Sequence, residues 1–336
     1  MKNQRAILWL MAFALSLGLL FFLELANGSV RIPFADVATI LTGGQAQKAT
    51  WTTIVLQFRL PRAITALFAG AALAVSGLSL QALFRNPLAG PYVLGISSGA
   101  SLGVALVVLS AGTGQWLNLA GSLSSVVAAS FGAAFTLGFV LLGSRRVQGM
   151  ATLLLFGLMI GYVTGALVNL LVYFSAPEQV QAYVLWTIGS FAGVSMEQLQ
   201  VLVPALSVGL VASLFLAKPL NLLLLGEEQA RTLGLRIRAT RFGIIVSTAL
   251  LAGGVTAFCG PVAFLDLAVP HLCRGLLRTA DHRWLMPAAA LLGATLALFA
   301  DLLAQLPGSL ILPLNTVTAL IGAPVVVFVI FRNQRT

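Results

Sequence analysis

Apolar residues run through this chain in blocks close to twenty residues long, broken by short polar stretches. Neither the alternation of a half-buried strand nor the one-sided stripe of a surface helix describes them. Blocks of that length match the hydrocarbon thickness of a bilayer when coiled as α-helix. They predict helices over residues 6–25, 62–83, 93–111, 119–142, 151–174, 199–217, 241–258, 260–277, 284–304 and 313–331. An even number of spans puts both termini on one side. The division at Gly260-Pro261 rests on those two breakers alone. The first block follows MKNQR, as the core of a signal peptide would, but Ala6 to Leu23 nearly completes a span and reads as an uncleaved helix.

Composition agrees with the pattern: of 336 residues, 59% are hydrophobic and 8% charged, as in an all-α polytopic membrane protein built as one transmembrane domain over residues 1–336. The formal charge of +10 would point to nucleic acid in a soluble chain. Here topology absorbs it. With the N-terminus in the cytoplasm, of the 19 Lys and Arg only Arg31, Lys48, Arg59 and Arg62 fall outside. That bias predicts both termini in the cytoplasm, and it leaves no surplus of cations that calls for a nucleic-acid partner. Two of the four outward cations lie in QFRLPRAI, flanking Pro61 at the start of the second predicted helix. Cys259 and Cys273 both sit in apolar segments and offer no disulfide framework.

Candidate chemistry is sparse. Gly95, Gly99 and Gly103, then Gly157, Gly161 and Gly165, repeat at four-residue spacing and mark helix faces where a neighbouring backbone approaches closely. Gly95 to Gly99 also spells G-x-S-x-G, yet it opens an apolar helix rather than a strand-turn-helix elbow. His271 and Cys273, two apart, point to different faces of a helix, so no metal site is expected. No phosphate-cradling G-x-x-x-x-G-K-[ST] loop occurs, so ATP-driven work would need another subunit. Asp266 and Asp301 are carboxylates in apolar surroundings, which makes a pathway or gate role the default; for Asp301 a pairing with arginine weighs equally. The stretch from Asn221 to Arg241, within a cytoplasmic segment at about 218–240, is too charged to span and too rich in leucine to be a free loop. It reads as a short amphipathic helix with Glu227 and Glu228 in its first turn, Arg231 placed to pair with them, and a break at Gly234. Its leucines make it a docking surface for a partner.

RLPRAITALFAGAALAVSGLSLQALFRNPLAGPYVLGISSGA, from Arg59 to Ala100, resembles the signature of the FecCD-type permeases, the membrane subunits of ABC importers for iron chelates, haem and cobalamin. LLLLGEEQARTLGL, VPHLCR, TADHRWLMPAAALLGA and TALIGAPVVVFVI resemble the same family in the same order. The resemblance implies a type II ABC importer permease fold with ten helices, working as a homodimer with the path between its copies. It implies two ATP-binding subunits on the cytoplasmic side, a periplasmic substrate-binding protein, no cofactor, and no enzymatic activity in this subunit. Gly226, Glu227, Glu228, Arg231 and Gly234 would then belong to a coupling segment seated on the ATPase. Arg59 and Arg62 would meet carboxylates of the binding protein, a task that suits the rigid guanidinium fork. Asn86 and Leu88 would stand at the pathway or its gate. Three positions depart from the family: Gln305 replaces an arginine, Asp266 a glycine, and ILPLN from Ile311 to Asn315 an acidic turn. The expected ligand is a metal chelate, a ferric siderophore ahead of cobalamin or haem. The competing class is a proton-coupled secondary transporter using Asp266 or Asp301 as relay.

Overall fold

A computed structural model describes residues 2–92, 94–109, 121–146, 150–306 and 312–333. The start of the third expected span, the turn between the third and fourth, Ile311 of the ILPLN turn and Arg335 lie outside the described residues. Among those described, regular structure is helical throughout: α1 (Lys2–Ala26), α2 (Phe34–Leu41), α3 (Ala49–Thr53), α4 (Leu60–Phe84), α5 (Ile96–Val108), α6 (Gly121–Arg146), α7 (Met150–Tyr173) and α8 (Pro177–Thr187). The chain continues through α9 (Met196–Phe215), α10 (Ala217–Leu223), α11 (Glu227–Thr232), α12 (Ile237–Cys259), α13 (Leu265–Leu277), α14 (His282–Gln305) and α15 (Leu314–Asn333). Seven described helices are long and apolar enough to cross a membrane, and α5 and part of α15 are shorter apolar helices. With α13 they stand where the ten spans were expected.

The centre of the bundle is α4. From Ala69 to Phe84 every residue is buried, and most are Ala, Gly, Ser or Leu. A helix apolar and small on all sides packs neighbours all round, and here those neighbours are α9, α12, α13 and α14. Its buried hydroxyls are satisfied within the helix: Thr65 donates to the Pro61 carbonyl, Ser76 to Leu73 and Ser79 to Val75. At Gly70 a Cβ would run into the Gly293 carbonyl, and at Gly77 into the Asp266 carbonyl, so α14 and α13 lie directly on the α4 backbone.

Two expectations about helix starts are corrected. Pro61 does not open the second span: a π-helical turn over Ile54–Arg59 joins α3 to α4, giving one continuous helix from Ala49 to Phe84. Proline lacks the N–H that an α-turn would use and crowds the carbonyl four residues back; the wider π turn relieves both. The third and eighth spans, for their part, begin late. Gly95 (φ 73°) precedes α5, while Gly260 (φ 74°) and Phe264 (φ 71°) delay α13 to Leu265. Each of these helices has 13 residues, or about 20 Å, short of the ~30 Å hydrocarbon layer. Their irregular leaders are tolerated because protein surrounds them.

The glycine rows serve packing inside the chain. A Cβ on Gly99 or Gly103 would strike Gly132, Thr136 or Ala128 of α6, and Gly95 sits against Gly157 of α7. Gly161 keeps ordinary contact with Ser98, and Gly165 faces open space.

Candidate functional site

At one end of the bundle, α1, α4 and α14 bring together a buried charge cluster. Arg62 donates from Nε to Asp301 Oδ2 at 2.6 Å and from Nη2 to Asp301 Oδ1 at 2.8 Å, a two-pronged pair. Its Nε also lies 3.6 Å from Glu24 Oε1, and that oxygen accepts a 2.6 Å bond from Gln305 Nε2. The side chains of Arg62, Glu24 and Asp301 are 12%, 1% and 2% exposed. Of the two roles weighed for Asp301, this geometry is the pairing with arginine. Gln305 spends its amide on Glu24. Arg59 is buried: it donates to the Leu25 carbonyl at 2.8 Å and to the Val30 carbonyl, beneath the turn at Gly28. Neither arginine extends a free guanidinium from the rim in this conformation. Arg62 and Asp301 do line a ≈ 230 Å³ pocket beside Ser190 and Leu314. Glu24 escaped sequence reasoning, although a carboxylate closing an apolar block carries the same cost signal as Asp301.

The late starts of α5 and α13 leave room between them. A ≈ 440 Å³ cavity there is lined by neutral polar groups, among them Ser97, Ser101, Asn169, Tyr183, Thr187 and Asn315. A second, of ≈ 220 Å³, shares Tyr92, Ser97, Val262 and Ala263 with it and adds Asp266. Asp266 is buried in the first turn of α13, where the positive end of the helix dipole favours a carboxylate. Among the described residues no ion pair includes it. Ala263 N–H donates to Asn315 Oδ1 at 3.0 Å, tying the α13 leader to α15.

The opposite end carries the connector between α9 and α12. It is three pieces rather than two: α10, a turn at Gly226 (φ 111°), and α11, followed by Gly234 (φ 87°). Glu228 and Arg231 are exposed, as are Leu225 (54%) and Leu233 (60%). The expected pairing within α11 is corrected: Glu227 accepts from Arg241 of α12 at 3.0 Å. A six-residue helix is too short to fix an internal pair, whereas α12 offers a held partner. Arg231 instead borders a ≈ 460 Å³ recess with Leu235, Arg236 and Arg238. Nearby, Asn221 bonds both Asp281 (2.6 Å) and His282 Nδ1 (2.8 Å), fastening α10 to the start of α14. Burial opposes ionisation of Asp281, but the Arg283 N–H and the Asn221 amide prevail and hold its pKa below the usual carboxylate value. Asn86 Oδ1 accepts the Leu88 N–H at 2.9 Å, shaping a turn that leaves Leu88 45% exposed, and His271 Nε2 meets the Pro87 carbonyl at 3.0 Å.

With this geometry in hand, the chain can be set beside known proteins. Residues 16–332 match the model of the FecCD transport family. The vitamin B12 import system permease protein BtuC of Klebsiella pneumoniae subsp. pneumoniae is 36% identical over 335 residues, covering 99% of this chain and 96% of that one. BtuC of Salmonella typhimurium is also 36% identical, covering 99% and 98%. Among solved structures, an inward-facing conformation of a metal-chelate type ABC transporter superposes with a TM-score of 0.84 at 30% identity, over 96% of this chain and 98% of that one.

Proposed function

The chain belongs to the FecCD transport family and is an ABC importer permease of the bacterial inner membrane, and from that premise we propose that it carries a bulky metal chelate inward as one transmembrane domain of a homodimer. The observation that carries the energised side of this reading is the exposed leucine-bearing connector around α11. In each copy it is the surface on which one of the two ATP-binding subunits seats, with Gly226 and Gly234 setting its two bends and Glu227, Glu228 and Arg231 its polar face. ATP is hydrolysed in those subunits and not in this chain, and both termini lie on their side of the membrane. Asn86 and Leu88 stand at the inner mouth of the path, and Asp266 borders it from the cavity at the start of α13.

A periplasmic binding protein docks at the other end. The support there is the Arg62 pocket: a partner carboxylate entering it would replace Asp301 on the guanidinium, while Arg59 holds the surrounding backbone in shape. Arg62→Glu should weaken that association about tenfold or more, since one charge-assisted contact is worth roughly 1.5–3 kcal/mol and ~1.4 kcal/mol is a decade. Unchanged affinity on folded protein would refute the docking role.

The ligand we favour is a ferric siderophore. Cobalamin is the second reading, because the two curated relatives named above are vitamin B12 permeases. The deciding experiment reconstitutes the permease with its ATP-binding subunits and binding protein in proteoliposomes and follows labelled ferric siderophore and cobalamin. ATP-dependent accumulation of one of them is expected. Accumulation driven by a proton gradient without ATP would overturn the scheme.

A further inference from the structure

A groove of ≈ 740 Å³ runs between the C-terminal half of α1 and the end of α14. Its chemistry changes along its length. Leu20, Leu23, Phe299, Leu302 and Leu303 make it apolar below, and Asn27, Ser29 and Arg31, in the loop after α1, close its upper end. Among the described residues no carboxylate lines it. Arg31 is exposed, and none of the ion pairs among the described residues includes it. On α1 Leu15 is 76% exposed, Leu19 63% and Phe22 46%, so the face beside the groove is turned to lipid.

We propose that this groove binds an anionic phospholipid, one acyl chain along the leucines and the phosphate against Arg31 with the Ser29 hydroxyl and Asn27 amide beside it. Charge complementarity selects the occupant. A single cation with neutral donors suits a phosphodiester whose headgroup adds no positive charge, such as phosphatidylglycerol. An ethanolamine headgroup would bring an ammonium to a site that offers it no carboxylate. The cation also sits on a held loop: Arg59 donates to the carbonyls of Leu25 and Val30 on either side of the groove's polar end. Gln305 forms part of the wall while bonding Glu24, so the bound lipid touches the side chain that satisfies the buried charge cluster.

The test uses the full chain exchanged into bilayer nanodiscs of equal phosphatidylglycerol and phosphatidylethanolamine, then native mass spectrometry of the lipids it retains. Wild type should retain phosphatidylglycerol in preference. Arg31→Gln should lower that preference about fivefold, the worth of one cation near the headgroup surface, and Arg31→Lys should keep most of it. Leu302→Trp, which fills the groove, should lower retention of both lipids. Should the tryptophan variant not fold, the two surface Arg31 variants still decide. No preference in wild type, a preference that survives Arg31→Gln, or a copurifying polypeptide in place of lipid overturns the proposal.

Discussion

Deleting the cation of the rim cluster and deleting its nearer carboxylate should differ in cost, because a second carboxylate stands beside the guanidinium. Arg62 and Asp301 are 12% and 2% exposed and meet at 2.6 Å. Removing one member of such a pair costs about 3–5 kcal/mol when the other is left buried without a partner. In Arg62→Gln both Glu24 and Asp301 lose their cation, so about 3–5 kcal/mol is expected. In Asp301→Asn the guanidinium retains Glu24, whose Oε1 is already 3.6 Å from Nε. A small shift restores an ion pair, and the expected loss is about half, on the order of 2 kcal/mol. Glu24→Gln leaves the two-pronged pair intact and should stay within ~1 kcal/mol of wild type. The double variant Arg62→Gln, Asp301→Asn removes cation and carboxylate together and should cost at least ~1 kcal/mol less than the sum of the singles. Reversible unfolding in mixed micelles, titrated with a denaturing detergent, reads these differences. An Asp301→Asn variant as damaged as Arg62→Gln, or an additive double variant, would refute the fallback role of Glu24.

Gly77→Ala should destabilise by about 1–3 kcal/mol, because its Cβ meets the Asp266 carbonyl, while Gly165→Ala, with open space, should be close to silent; equal unfolding curves for the two would sink the close-packing account. Arg231→Glu should leave the bundle folded and the assembled complex hydrolysing ATP while ligand uptake fails, and wild-type uptake would remove Arg231 from the coupling surface. Asp266→Gly should keep most of the uptake, since no ion pair among the described residues depends on its carboxylate; a well-expressed but transport-dead glycine variant would instead assign Asp266 a part in the path.

The ten spans were legible because a bilayer demands length and apolarity, and both are written residue by residue. Backbone detours inside protein leave no such mark. Apolar residues continue across Gly95 and Gly260, so the late starts of α5 and α13 are invisible to hydropathy, and only the positive φ at those positions reveals them. Pro61 reads as a helix start by the ordinary rule, yet a π turn carries the helix past it. Asp301 could be named as a carboxylate in search of a cation, but choosing Arg62 needs a contact spanning 239 positions. Glu227 illustrates the same limit at shorter range. Local spacing favours Arg231, while the fold supplies Arg241, which α12 holds in place.

The central position of α4 has a consequence for the order of assembly. A chain made from the N-terminus inserts this helix second, long before α12, α13 and α14 exist to surround it. Arg62 must wait for Asp301, 239 residues downstream, which at about 5–20 residues per second is roughly 10–50 s of synthesis. Glu24, already inserted with α1, is the one cluster carboxylate present during that interval. The residue that serves as a spare partner in the finished protein is therefore the first partner in time, a chaperone carried in the sequence for an arginine that would otherwise have to stay at the headgroups and keep α4 from settling.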